Sequence, residues 1–219
     1  MPETVEELTL LHTRKYDTEV YKVDDTRIRA IGTVRDTKPA GMYIEDDPEP
    51  LTIHDMRLVI DVDIATLTIA DARLGFEAHP NDECPGIVEH YRKLIGLSVT
   101  RGFNRKIREL FGGPRGCTHT TALLQAMGPV IVQSMWSLRM LEKQARGLRP
   151  FEIDPEMPVG DGDGALANLN TCHVWAEDGP LVARVRAGEW GDSVPVWVRR
   201  RLPELGRDIE QWRVDNGRA

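Results

Sequence analysis

Positive charge is in short supply in this chain of 219 residues, where 28 Lys and Arg stand against 35 Asp and Glu, a net −7 at pH 7. Binding to a phosphate backbone needs a basic footprint, so nucleic acid is excluded as the main partner. Long apolar runs are also missing. The longest, around Pro129–Trp136, is broken by Gln133 and Ser134 and falls far short of a membrane span. The first residues are acidic and contain no apolar signal core, which leads us to expect a cytoplasmic protein. Cysteine is scarce: Cys84, Cys117 and Cys172 cannot all pair within the chain, so free or metal-bound thiols are expected. There is no CxxC pair, Walker-type P-loop, GxGxxG or GxSxG, which leaves zinc-finger, nucleotide-binding and serine-hydrolase readings without support.

What is present is ordinary globular material, 41% hydrophobic and 29% charged, enough for a sizeable core. From Leu8 to about Ala78 the pattern reads as strands, with Asp24-Asp25 as a hairpin turn. The Pro- and Gly-containing, acidic stretch from Asp36 to Pro50 reads as a loop. LTIHDMRLVIDVD then alternates, with Met56, Leu58, Ile60 and Val62 on one face and Arg57, Asp61 and Asp63 on the other, and ATLTIADARLGFEA is expected to pair antiparallel with it. The period changes in the middle third. Ile87, Val88, Tyr91, Leu94 and Ile95 fall at helical spacing after Pro85, and a second helix fits Asn104–Phe111. A long helical pattern follows from Thr118 to about Ala145, and Gly128-Pro129 should kink or divide it. Beyond Arg149, FEIDPEMPVGDGDGALANLN reads as a loop, LVARVRAGEW as a short strand and ELGRDIEQWRV as a terminal helix.

Four metal-capable side chains lie at junctions between these elements. His54 opens the alternating strand in phase with its apolar face, whereas Asp55 should turn to the opposite face. Cys84 sits where a loop feeds a helix. Cys117 and His119 stand in FGGPRGCTHTTALL, where a Gly-rich turn meets the long helix, whose free N–H groups favour a thiolate or a bound anion. Imidazole and thiolate ligands suit zinc or iron rather than magnesium or calcium. The remaining candidates are weaker. Cys172-His173 is read as packing beside Trp175, and His12 and Arg14 as strand residues that meet solvent. His79 is assigned to a loop, His90 to a helix surface, and DGDG at Asp161–Gly164 is too short for a calcium loop.

From HDMRLVIDVD through IADARLGF, Cys84, LIGLSV and Cys117 to the long helix, the order of elements resembles the NifU and IscU iron–sulfur scaffold family over about Ile53–Ala145. His54 stands where that family has its first cysteine, Cys84 and Cys117 match the second and third, and Met56 replaces the aspartate that keeps the cluster labile. A nearer resemblance, covering most of the chain, is to an uncharacterised bacterial domain-of-unknown-function family (DUF 2889 type). It is carried by the strand start at His54, the Gly-Cys-Thr-His helix start, HTRKYD near the N-terminus and Cys172. That family brings no assigned activity with it.

The expected fold is α+β: an antiparallel sheet from the N-terminal third packed on helices from the middle third, a SufE/NifU-like core with extensions. Residues 1–150 are expected to form the metal-site domain and 151–219 a C-terminal extension, acting as a lid or an oligomer contact. The leading expectation is one zinc or iron ion per chain held by His54, Cys84, Cys117 and His119, with His119 as fourth ligand or as base. Such a site suits a metal-dependent hydrolase or lyase acting on a small-molecule substrate. A homo-oligomer is a further option for its assembly. The alternatives are an iron–sulfur or sulfur-transfer scaffold, and a metal-free enzyme with Cys117 as nucleophile.

Overall fold

The computed structural model describes residues 8–100, 102–149, 168–187, 189 and 194–216. Strands β1 (Thr13–Lys22), β2 (Arg27–Lys38), β3 (Leu51–Asp63) and β4 (Ile69–Ala78) form one antiparallel sheet in chain order. Two tight turns are built alike. Asp24 accepts the amide and hydroxyl of Thr26 at 2.8 and 2.6 Å, and Asp63 accepts those of Thr66 at 2.8 and 2.7 Å. A short acidic side chain that captures donors two or three residues on is a standard way of reversing a chain.

Period-2 alternation then sorts the two faces. Ile28, Ala30 and Val34 of β2, Met56, Leu58, Ile60 and Val62 of β3, and Ile69, Ala72 and Leu74 of β4 make the buried face. The other face carries cross-strand ion pairs, among them Arg29 with Asp61 at 2.6 Å and Arg35 with Asp55 at 2.6 Å. Asp55 does turn away from the apolar face of its strand. One boundary differs from the sequence expectation. β2 runs through Lys38, so Asp36 lies in the strand and not in the loop assigned from Asp36 onward. It is in phase with Ile28, Ala30 and Val34, which explains why it is only 1% exposed.

The sheet is covered by the middle third of the chain. A run of 3-10 turns spans Cys84–Leu94, followed by α1 (Phe103–Phe111) and α2 (Thr118–Ala145). Tyr91 stacks on Phe111 with ring centroids 4.7 Å apart. The inward stripe of α2 is Thr120, Leu123, Leu124, Met127 and Ile131, while Ala126 is exposed. Pro129 does not divide α2, which continues as one helix. Pro129 is exposed there, and Gly128 beside it faces inward against Phe103. On the sheet side, Gly32 admits Met127: a Cβ on Gly32 would land on the Met127 thioether.

The chain divides into two compact units, 1–136 and 137–219. The described part of the second unit contains the end of α2 and three short helices, α3 (Pro180–Arg186), α4 (Val196–Glu204) and α5 (Ile209–Asp215). The segment expected as a strand, Leu181–Trp190, is therefore helical over most of its described length. Pro180 occupies the first turn, where its missing N–H costs nothing, and Val182 and Val185 are buried at helical spacing. The DGDG stretch and most of the expected loop after Arg149 lie outside the described residues. No described helix is long and apolar enough to cross a membrane.

Filling the space that Gly32 leaves for Met127 should cost stability. Gly32→Val is expected to lower unfolding free energy by about 1–3 kcal/mol through overpacking. Gly75→Ala, on the opposite face, should stay within about 0.5 kcal/mol of the parent. Urea unfolding midpoints check both, and equal midpoints would contradict the packing of α2 on β2.

Candidate functional site

Register places a row of polar residues at one end of the buried face. Arg14 of β1 is opposite Asp36 of β2, and Asp36 is opposite His54 of β3. The next inward row, Tyr16, Val34, Met56 and Phe76, is largely apolar and begins the core. Irregularities in pairing at Asp36/Thr37 and at Asp55/Met56 fall beside this row, a common place for a sheet to re-aim side chains. His119, in the first turn of α2, reaches the same point from the covering layer.

Asp36 is the hub. Arg14 donates to both of its oxygens at 2.6 Å, through Nε to Oδ1 and through Nη2 to Oδ2. His54 Nδ1 lies 3.1 Å and His119 Nε2 3.2 Å from the same oxygen, Oδ2, while His12 Nε2 is 3.5 Å from Oδ1. The two imidazoles face each other with centroids 3.8 Å apart. The Arg14 guanidinium holds the Asp36 carboxyl down at about 2 despite its burial, and Arg14 itself is raised in return. Burial, then His54 and Arg14, lower the His119 imidazole, which favours its neutral, ligand-competent form. Asp36, His54 and His119 each offer an atom to a group spanning no more than 4.8 Å, close enough together that the three could hold a metal ion.

Cys84 and Cys117 line the same cleft as His54 and His119, a space of 480 Å³ whose wall also includes Met56, Phe76, Pro80 and Ile87. Cys117 Sγ is 3.6 Å from His119 Nδ1, the nitrogen that faces away from Asp36. Its main chain is held by Tyr91, whose hydroxyl accepts the Cys117 amide at 2.9 Å and donates to the Cys117 carbonyl at 3.2 Å. Of the expected ligands, then, His54 and His119 converge with Asp36, and the two thiols stand on the cleft wall outside that group. Cys172 is exposed in the second unit rather than packed. His90 is half-buried, with its ring edge-on to Phe111. Arg14, read from the sequence as a solvent-facing residue, is bound to Asp36.

Asp36 was missed because the Pro- and Gly-containing stretch after it pulled it into a loop. The signal that could have found it is phase, since an aspartate two residues beyond Val34 continues the inward positions of a strand. The sequence profile of the family described as protein of unknown function (DUF2889) matches residues 12–133, and the chain belongs to that family. The match begins at His12 and takes in every residue of the site just described. It lends no support to the likeness to NifU and IscU, and the convergent group contains no cysteine. No curated protein and no solved structure matches the chain.

The depressed Asp36 carboxyl carries a pH dependence of fixed sign. On acidification the unfolded chain takes up this proton first, so the stabilisation is complete above a pH of about 4 and is lost as pH falls toward 2. Arg14→Met should raise the midpoint of acid unfolding, followed by circular dichroism, and cost about 1–3 kcal/mol at neutral pH. An unchanged midpoint would mean that the pair contributes nothing.

Proposed function

We propose that this member of the DUF2889 family is a metal-dependent hydrolase or lyase for a small organic substrate, with one zinc or ferrous ion held by Asp36, His54 and His119. The observation that carries the reading is the convergence of His54 Nδ1 and His119 Nε2, at 3.1 and 3.2 Å, on a single oxygen of Asp36. Ligand atoms at about 2.0–2.2 Å from one ion stand roughly 3.0–3.5 Å from each other, so these separations are already those of neighbouring ligands. Two imidazoles and a carboxylate suit zinc and ferrous iron. This ligand set keeps both histidines of the sequence expectation and replaces its thiolates with Asp36.

The surroundings are consistent with such a centre. Asp36 is shielded by Arg14, while His54 and His119 border the cleft, so the remaining coordination positions face the space a substrate would fill. An ion there would acidify a water molecule to near neutrality or polarise a substrate carbonyl. The Cys117 thiol beside His119 Nδ1 is an outer partner for the imidazole, of the kind that fixes its tautomer and orientation.

Metal analysis tests the ligand set. Purified protein should carry about one zinc or iron per chain, with strong loss in His54→Ala and in His119→Ala and retention in Cys84→Ser. Metal lost in Cys84→Ser would restore the thiolate set. A metal-free protein that cannot be loaded, in which both imidazoles simply donate to Asp36, would overturn the reading.

A second reading is favoured by one specific geometry. Cys117 Sγ, His119 Nδ1, His119 Nε2 and Asp36 Oδ2 lie in sequence at 3.6 and 3.2 Å, the layout of a thiol, a base and an orienting carboxylate. Residues two apart within a helix do not share a face. Cys117, however, precedes Thr118, the first residue of α2, and escapes that restriction. In this reading His119 takes the thiol proton, sulfur bonds to an acyl carbon, and the leaving alcohol or amine departs with that proton. The readings part at His54. Its alanine variant should lose the metal under the first, and keep formation of an acyl adduct on Cys117 from p-nitrophenyl acetate, read by mass spectrometry, under the second.

A further inference from the structure

We infer that the metal-loaded site selects small organic anions with an apolar body, aromatic or branched carboxylates, that present their carboxylate to the ion and lay the body along the wall of Met56, Phe76 and Ile87. This deepens the metal reading of the same site and rests on it.

Charge is the first argument. A single carboxylate ligand would ordinarily offset half the charge of a divalent ion. Here Asp36 is already neutralised by Arg14, which occupies both of its oxygens at 2.6 Å, and the other two ligands are imidazoles. The Asp36 charge that would offset part of the ion's charge is therefore already taken up by Arg14, and a net positive charge remains at the site. Glu83, the acidic residue of the cleft wall, is exposed, so solvent screens it. The complement to this local excess is an anion, in a protein whose overall charge is −7.

Shape and polarity supply the second argument. The cleft volume, 480 Å³, falls in the range of small-molecule sites. His54 and His119 carry the polar groups that meet Asp36, and the amide and carboxylate elsewhere on the wall, Asn81 and Glu83, are exposed. Met56 and Phe76 are cross-strand partners on the buried face, and Ile87 of the 3-10 segment joins them along the cleft. A ligand anchored at the histidines has Met56, Phe76, Pro80 and Ile87 as the apolar side chains of the cleft to cover. A purely polar acid would leave that apolar surface uncovered, and a neutral apolar molecule would leave the ion's charge unanswered.

The test uses the full chain loaded with manganese(II), whose own binding is first measured by electron paramagnetic resonance. Benzoate, benzamide and acetate are then titrated by calorimetry. Benzoate should bind at least about tenfold more tightly than benzamide, its neutral counterpart, and at least about tenfold more tightly than acetate, which lacks the ring. Phe76→Ala should weaken benzoate and leave acetate unaltered, and Arg14→Met should narrow the gap between benzoate and benzamide. Absence of binding of zinc, ferrous iron and manganese alike would defeat the metal reading itself. With manganese bound, equal affinity for benzoate and benzamide would overturn the selection for anions, and equal affinity for benzoate and acetate would overturn the apolar body. Because the three-ligand comparison is made on the unaltered protein, it decides the matter even if a variant fails to fold.

Discussion

A carboxylate on the buried face of a sheet has to be answered by cations or donors, and Asp36 is the residue on which the rest of the site depends. At 1% exposure it has no water to solvate it, and an unpaired charge there would cost several kcal/mol. The chain answers it from three directions. Arg14 comes from the neighbouring strand β1, His54 from β3 on the other side, and His119 from the helix layer above. Each partner is placed by a different rule: cross-strand register for the first two, and the position of the first helical turn for the third. The polar cluster therefore ties sheet and helix together at one end while the aliphatic core does so along the remaining length.

The same requirement explains why histidines collect here. A second or third arginine would satisfy Asp36 but would leave net positive charge around it. Imidazoles can donate or accept, and burial, with His54 and Arg14 nearby, lowers the His119 imidazole from its ordinary value. The two histidines flank a carboxylate already paired with Arg14, so a bound divalent cation brings charge that Asp36 alone does not offset. The backbone support is equally specific. Tyr91, stacked on Phe111, uses its one hydroxyl on both the amide and the carbonyl of Cys117, and so holds the approach to α2 in place. His119 reaches Asp36 because that approach is held.

The metal reading and the thiol reading share His119 and use its two nitrogens in opposite ways. In the first, Nε2 and Asp36 belong to an ion and Nδ1 faces a thiol that orients it. In the second, Asp36 orients the ring and Nδ1 takes a proton from Cys117. One imidazole cannot do both at once, so the choice rests on His54, which the ion needs and the relay does not.

Much of this was legible in the sequence, because it follows from local rules. Alternation over Leu51–Asp63 marked a half-buried strand, helical spacing marked α1 and α2, and together they gave the α+β class. His54 and His119 stood out, with Cys84 and Cys117, as metal-capable side chains at element junctions. Short segments were harder. The segment from Leu181 is brief enough to fit either period, and with Pro180 in its first turn it is helical through Arg186. What only the tertiary structure decided is which of the candidate residues meet. Strand register set Arg14 and His54 on either side of Asp36, and the packing of α2 brought His119 to the same oxygen while leaving Cys84 and Cys117 on the cleft wall. Periodicity tells which face a side chain joins, but the partner across that face is fixed by pairing between segments far apart in the chain, and that information is carried by the packed fold.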